Sequence, residues 1–250
     1  MLSNRTNFIF TPSKKRHDKK QIPPIIFGFL VFRKAEFTQL LKQIFRMHIA
    51  VTGNIGAGKT TLTTMLSKHY GWDAQFEDVD HNPYLEDFYA DMSKWSFALQ
   101  IYFLGSRFRQ VKEIRESGKN IIQDRTIYED AHIFAENLND MNLLTERDFN
   151  NYSAVFELMK SFVSAPDLLI YLKSDVPNLV KKIYKRGRDY EATISIEYLS
   201  KLNQKYEKWI SGYNEGKLLV IEVDDLDFVE RPEDFGYILE RIETELHGLF

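Results

Sequence analysis

Eight consecutive residues, Gly53-Asn54-Ile55-Gly56-Ala57-Gly58-Lys59-Thr60, fit the spacing GxxxxGK[ST] of a phosphate cradle. Glycines let successive backbone N–H groups turn toward one anion, and the helix that follows adds the positive end of its dipole. In such a loop Lys59 bridges the β- and γ-phosphates of a nucleoside triphosphate, the Thr60 hydroxyl ligates Mg²⁺, and Thr61 completes the binding set on the first helical turn. Glu77 stands at the end of a short apolar stretch, where the carboxyl end of a strand would line a ligand crevice. A carboxylate there can take a hydroxyl proton as a phosphoryl group arrives in line. The plainer reading is a solvated loop acid, and with Asp78, Asp80 and Glu86 close by, only position discriminates among the four.

Asp124-Arg125-Thr126 follows a second apolar stretch. Asp124 is placed to hold Mg²⁺ directly or through water, and Arg125 to spread charge over the phosphoryl group or to steady Glu77. A structural salt bridge is the alternative for this pair. Arg186-Gly187-Arg188, at the end of a basic helical stretch, has the composition of a mobile lid that brings positive charge to the triphosphate. Cations that merely complement a helix C-terminus are the alternative there.

Positioning these groups requires alternating strands and helices. Apolar strands are expected at 48–52, 74–76, 120–123, 167–172 and 218–222. Amphipathic helices are expected at 59–69, 93–117, 129–137, 146–163, 177–185, 196–213 and 232–246, with Gly118 and Gly216 ending two of them. Near-continuous apolar strands separated by helices predict an α/β fold, a doubly wound sheet of about five parallel strands flanked by helices, of P-loop NTPase type with an Arg-bearing lid.

The 250 residues contain no cysteine, which excludes disulfides, thiolate metal sites and cysteine nucleophiles and fits a cytoplasmic setting. Residues 1–46 carry ten Lys/Arg against Asp18 and Glu36, a net of +8 that leaves −11 of the total −3 on 47–250. An acidic body argues against nucleic acid as the main partner. The apolar run 22–32, with Pro23, Pro24 and Gly28, is too short to span a bilayer, so no membrane role is expected. The basic stretch 1–46 is expected to be a disordered extension, or sequence ahead of a start at Met47, and 47–250 one domain.

The residues from Met47 onward resemble the deoxynucleoside kinase family, which includes animal deoxycytidine and deoxyguanosine kinases and bacterial deoxyadenosine kinases. The resemblance is carried by Tyr89 through Trp95 and Gln100 to Arg107, by Asp124-Arg125-Thr126 followed by Asp130 and Phe134, by Arg186-Gly187-Arg188 with Glu191, and by Asp227-Phe228. It implies an ATP-dependent kinase acting on a deoxynucleoside, and a homodimer. It implies Glu77 as base and Arg125 beside the phosphates. Tyr89 and Glu191 would hold the sugar 3′-hydroxyl, and Gln100 would face the Watson–Crick edge. Arg107 and Asp130 would pair around the exocyclic group, Phe134 would pack on the ring, and Asp227-Phe228 would lie near the donor's base. Two departures, Asp78 where the family often has Pro and Asn82 where animal members carry Trp, leave the pocket's shape open.

By hydrogen-bond logic Gln100 suits adenine and cytosine equally, and an ionised Asp130 accepts a second proton from the same amino group. Thymine presents a carbonyl there, a mismatch of about 1–3 kcal/mol. Guanine is accommodated if the amide flips and Arg107 donates. Deoxyadenosine ranks first, then deoxycytidine and deoxyguanosine. The competing readings are a thymidylate-type monophosphate kinase, a non-catalytic nucleotide-binding subunit, and a polyanion binder acting through 1–46.

Overall fold

The computed structural model describes residues 46–77, 81–188, 191 and 193–248. The expected extension 1–46 (apart from Arg46), Asp78 and Asp80 lie outside the described residues. Strands β1 (His48–Gly53), β2 (Asp73–Gln75), β3 (Ile121–Asp124), β4 (Leu168–Lys173) and β5 (Lys217–Glu222) form one sheet in the order β2-β3-β1-β4-β5, with every pairing parallel. Side chains alternate across it. Ile49, Val51, Leu168 and Ile170 enter one buried cluster, and Ala50, Leu169 and Tyr171 enter the other. Both faces are therefore covered, which is why these strands read as nearly unbroken apolar runs.

The first cluster is closed by helix α1 (Lys59–Tyr70) through Leu62 and Leu66 and by α8 (Pro232–His247) through Ile238 and Ile242. The second is closed by α3 (Met92–Ser117), α5 (Glu146–Lys160) and α7 (Ile196–Ser211). It is also closed by α4, a helical run that starts at Ile127–Glu129, passes through a π-helical stretch Asp130–Ala135 and continues as Glu136–Asp140. Asp91, Thr145 and Ser195 cap α3, α5 and α7 by accepting from the backbone N–H three residues on. Short α2 (Leu85–Ala90), which the sequence pattern did not reveal, buries Leu85 and Phe88, and α6 (Val176–Arg186) precedes the lid residues.

Three local expectations shift. The second strand ends at Gln75, so Glu77 lies two residues past it, and Phe76 is left 40% exposed. The helix expected to end before Gly216 stops at Ser211 with Gly212 as its cap. Gly216 serves close packing instead, because a Cβ there would stand 2.9 Å from the Pro166 carbonyl. Gly118 does end α3, in the left-handed conformation.

The chain leaves β1 toward the β2 edge, and β4 then takes the opposite side of β1. This reversal makes the carboxyl ends of β1 and β3 the switch point where ligands bind in doubly wound sheets. Pairing of Val51 with Asp124 places the Asp124-Arg125 pair beside the phosphate loop. Gly56 in that loop has φ 85°, and a Cβ would meet the Leu179 carbonyl of α6 at 2.8 Å. Gly56→Ala is expected to destabilise the fold by about 1–3 kcal/mol and to weaken triphosphate binding, read by thermal melting and a binding titration.

Candidate active site

A cavity of about 400 Å³ opens over this switch point. Its lining brings together Ile55, Gly56, Lys59 and Thr60 of the loop with Glu77, Asp124 and Arg125. Tyr89, Gln100, Asp130, Phe134, Arg186, Arg188 and Glu191 share the same cavity. Gly53, Asn54, Ala57 and Gly58 build the loop behind its wall, and Thr61 is exposed on the first turn of α1.

Lys59 Nζ donates to the Asn54 carbonyl at 3.0 Å. Burial, and next Arg125, pull its ammonium down to about 7. An anion beside it would bind and recharge it together. The Thr60 hydroxyl donates to Asp124 Oδ2 at 2.5 Å, while Asp124 Oδ1 is buried with no hydrogen-bond partner among the described residues. Two hard oxygen donors with one unsatisfied lone pair suit Mg²⁺, which takes few protein ligands and completes its shell with phosphate and water.

Glu77 is clamped from two sides. Arg107 Nη2 donates to Oε1 at 2.8 Å and Arg125 Nε to Oε2 at 3.2 Å. Burial favours the neutral acid, but Arg125, Arg107 and Lys59 outweigh it and hold the carboxyl below its usual range. Gln110, one turn beyond Arg107 on α3, fixes the backbone by donating to the Phe76 carbonyl at 2.5 Å. The resemblance points to Arg107 for base recognition, and no signal in the sequence points to Gln110.

Arg107 does not line the cavity. It lies buried behind it, with Nε 3.5 Å from Asp130 Oδ2 and Nη1 donating to the Asp124 carbonyl at 3.3 Å. Asp130 starts the π-helical stretch; burial first, with Arg107 opposing, raises its carboxyl to about 7. Gln100 Oε1 is buried and has no partner among the described residues. The Phe134 ring lies under the Arg125 guanidinium at 4.7 Å and borders the cavity. Arg186 grips Glu191 with contacts of 2.6–3.0 Å, and Arg188 comes within 3.6 Å of it, so the two arginines expected in a lid are paired with the glutamate expected at the sugar. Phe228 packs on the loop, its Cζ 3.1 Å from where a Cβ on Gly58 would be, and Asp227 caps the following turn through Glu230 N. Neither borders the cavity. Leu85, Phe88, Phe103 and Tyr198, which also line it, carried no sequence signal beyond apolarity.

The family model for deoxynucleoside kinases matches residues 49–247. The chain belongs to the deoxynucleoside kinase family. It is similar to the deoxyadenosine/deoxycytidine kinase of Bacillus subtilis, 41% identical over 201 residues that cover 80% of this chain and 93% of that one. It is 40% identical to the deoxyadenosine kinase of Dictyostelium discoideum, over 80% of each chain. The deoxyadenosine kinase of M. mycoides with bound dATP superposes with a TM-score of 0.71 at 34% identity, covering 79% of this chain and all of that one. The parallel α/β sheet of this kinase is thus the P-loop fold of a phosphotransferase. Among the described residues, no helix is long and apolar enough to cross a membrane.

Proposed function

We propose that this kinase transfers the γ-phosphate of ATP, bound as its Mg²⁺ complex, to the 5′-hydroxyl of deoxyadenosine in preference to deoxycytidine and deoxyguanosine. The carrying observation is the position of Glu77, an ionised carboxylate held by Arg107 and Arg125 in the cavity that also contains Lys59. Glu77 accepts the 5′-hydroxyl proton while Lys59 and Arg125 stabilise charge on the transferring group. Mg²⁺, held by the Thr60 hydroxyl and Asp124, would neutralise the β- and γ-oxygens. Arg186 and Arg188 close on the triphosphate, and Tyr89 and Glu191 take the sugar 3′-hydroxyl. Asp227-Phe228 stays a donor-base contact made from the loop side.

For the base, the unpartnered Gln100 Oε1 supports acceptance from an exocyclic amino group while its amide donates to the neighbouring ring nitrogen. The adenine preference is supported by the Dictyostelium discoideum relative, named a deoxyadenosine kinase, and by the Bacillus subtilis relative, named a deoxyadenosine/deoxycytidine kinase; a deoxyguanosine kinase of Bacillus subtilis is 36% identical. Homodimeric assembly in the cytoplasm belongs to this proposal. It is supported by the exposed Leu158 of α5, the exposed Phe162 just beyond it, and the lack of cysteines.

The test is a phosphorylation assay with ATP and Mg²⁺ across the four deoxynucleosides and their monophosphates. Deoxyadenosine is expected to be fastest; a faster monophosphate or thymidine overturns the reading. Asp130 adds a pH signature. Above about 7 its ionised form accepts from the adenine amino group, and below that its protonated form can donate to the guanine carbonyl. The kcat/KM ratio of deoxyadenosine over deoxyguanosine should therefore rise about tenfold or more from pH 6 to pH 8. Lys59 titrates in the same window but serves both nucleosides, so it cancels in the ratio. A flat ratio removes Asp130 from base recognition.

A further inference from the structure

Arg125 has φ 69°, a left-handed conformation that a non-glycine residue keeps only when its surroundings enforce it. Its backbone N–H donates to the Val51 carbonyl at 2.9 Å, and its guanidinium meets more than Glu77. Nη1 donates to the Tyr206 hydroxyl at 3.1 Å and to Glu129 Oε2 at 3.4 Å, and the Tyr206 hydroxyl donates to the same Oε2 at 2.7 Å. Glu129 Oε1 is held in turn by the Thr126 N–H at 2.9 Å. Tyr206 comes from α7, fully buried, its ring stacked on Tyr171 of β4 at 5.7 Å. Neither Glu129 nor Tyr206 borders the cavity.

We propose that Glu129 and Tyr206 are positioning residues, a buried seat that holds the Arg125 guanidinium in its working orientation. This rests on the assignment of Arg125 to the transferring phosphoryl group. A guanidinium beside a lone carboxylate settles into a two-pronged pair. Were Arg125 to grip Glu77 that way, the base would lose lone pairs and the phosphoryl group would lose donors. By taking Nη1, the seat leaves only Nε on Glu77. Nη2 has no acceptor among the described residues and, on a side chain that lines the cavity, is left for the phosphoryl group. Glu129 also accepts from three donors on its two oxygens, and an amide, whose second end is a donor, could not serve both ends.

Tyr206→Phe and Glu129→Gln are made in the native chain and again in Arg125→Ala. The Gln carbonyl can still accept from Thr126 N, so the start of α4 survives. In the native chain each is expected to lower kcat about 10- to 100-fold while KM for deoxyadenosine and ATP moves less than about threefold and the melting temperature stays within a few degrees. In Arg125→Ala the same changes should cost less than about twofold, because a seat has no effect without its occupant. Native-like kcat in both single variants, or equal losses in the two backgrounds, overturns the seat while leaving Arg125 in place. A native-like kcat in Arg125→Ala itself removes Arg125 from catalysis and the seat with it.

Discussion

Turnover of the Glu77→Gln kinase is expected to fall by two or more orders of magnitude, with deoxynucleoside and triphosphate affinities retained. The amide has the shape of the carboxylate and its oxygen can still accept from Arg107, so the scaffold around it persists. What it loses is the capacity to take a proton. The two arginines and Lys59 hold the native carboxyl below its ordinary range against the opposing effect of burial. The base is consequently ionised throughout neutral pH and is lost only as pH falls through that lowered value. Lys59 and Asp130, both brought to about 7, can change the rate near neutral pH, whereas Glu77 does not titrate there. Steady-state kcat with parallel calorimetric binding separates the two effects, and near-normal turnover in this variant removes Glu77 as the base.

Groups that act through contiguous sequence are legible in the order of residues alone. The phosphate loop is eight consecutive residues between a strand and a helix, and Asp124-Arg125 directly ends β3. Parallel order follows from apolar runs that both faces of the sheet bury. What stays hidden depends on contacts across long separations. Tyr206 meets Glu129 from 77 residues away, and no local pattern marks it as a partner of Arg125, whereas Glu129 stands only four residues on from that arginine. Resemblance gives Arg107 a role in base recognition, whereas the fold turns its Nη2 toward Glu77 as well. The second strand is expected to reach Phe76 because that residue is apolar, yet past Gln75 there is no ladder to hold it. The π-helical turn that starts at Asp130 leaves no signature in the residue pattern, since its residues suit an α-helix equally well.

The double change Arg107→Met with Asp130→Ala is expected to raise the kcat/KM ratio of thymidine over deoxyadenosine tenfold to a hundredfold. Removing Asp130 abolishes the acceptor that opposes the thymine carbonyl, a mismatch of about 1–3 kcal/mol. Removing it alone would leave Arg107 Nε, 3.5 Å from the Asp130 carboxyl, without that neighbour, while Glu77 still holds the rest of the guanidinium. The two change together so that no guanidinium is left beside the base pocket without its acid. The geometry adds an expectation that base pairing logic lacks. Because Arg107 also donates to Glu77 at 2.8 Å, the double variant should turn over every nucleoside more slowly even as its ranking inverts. A four-nucleoside assay reads both at once. An unchanged ranking with slower turnover would mean that Arg107 serves the catalytic carboxylate alone and that the base is recognised elsewhere in the cavity.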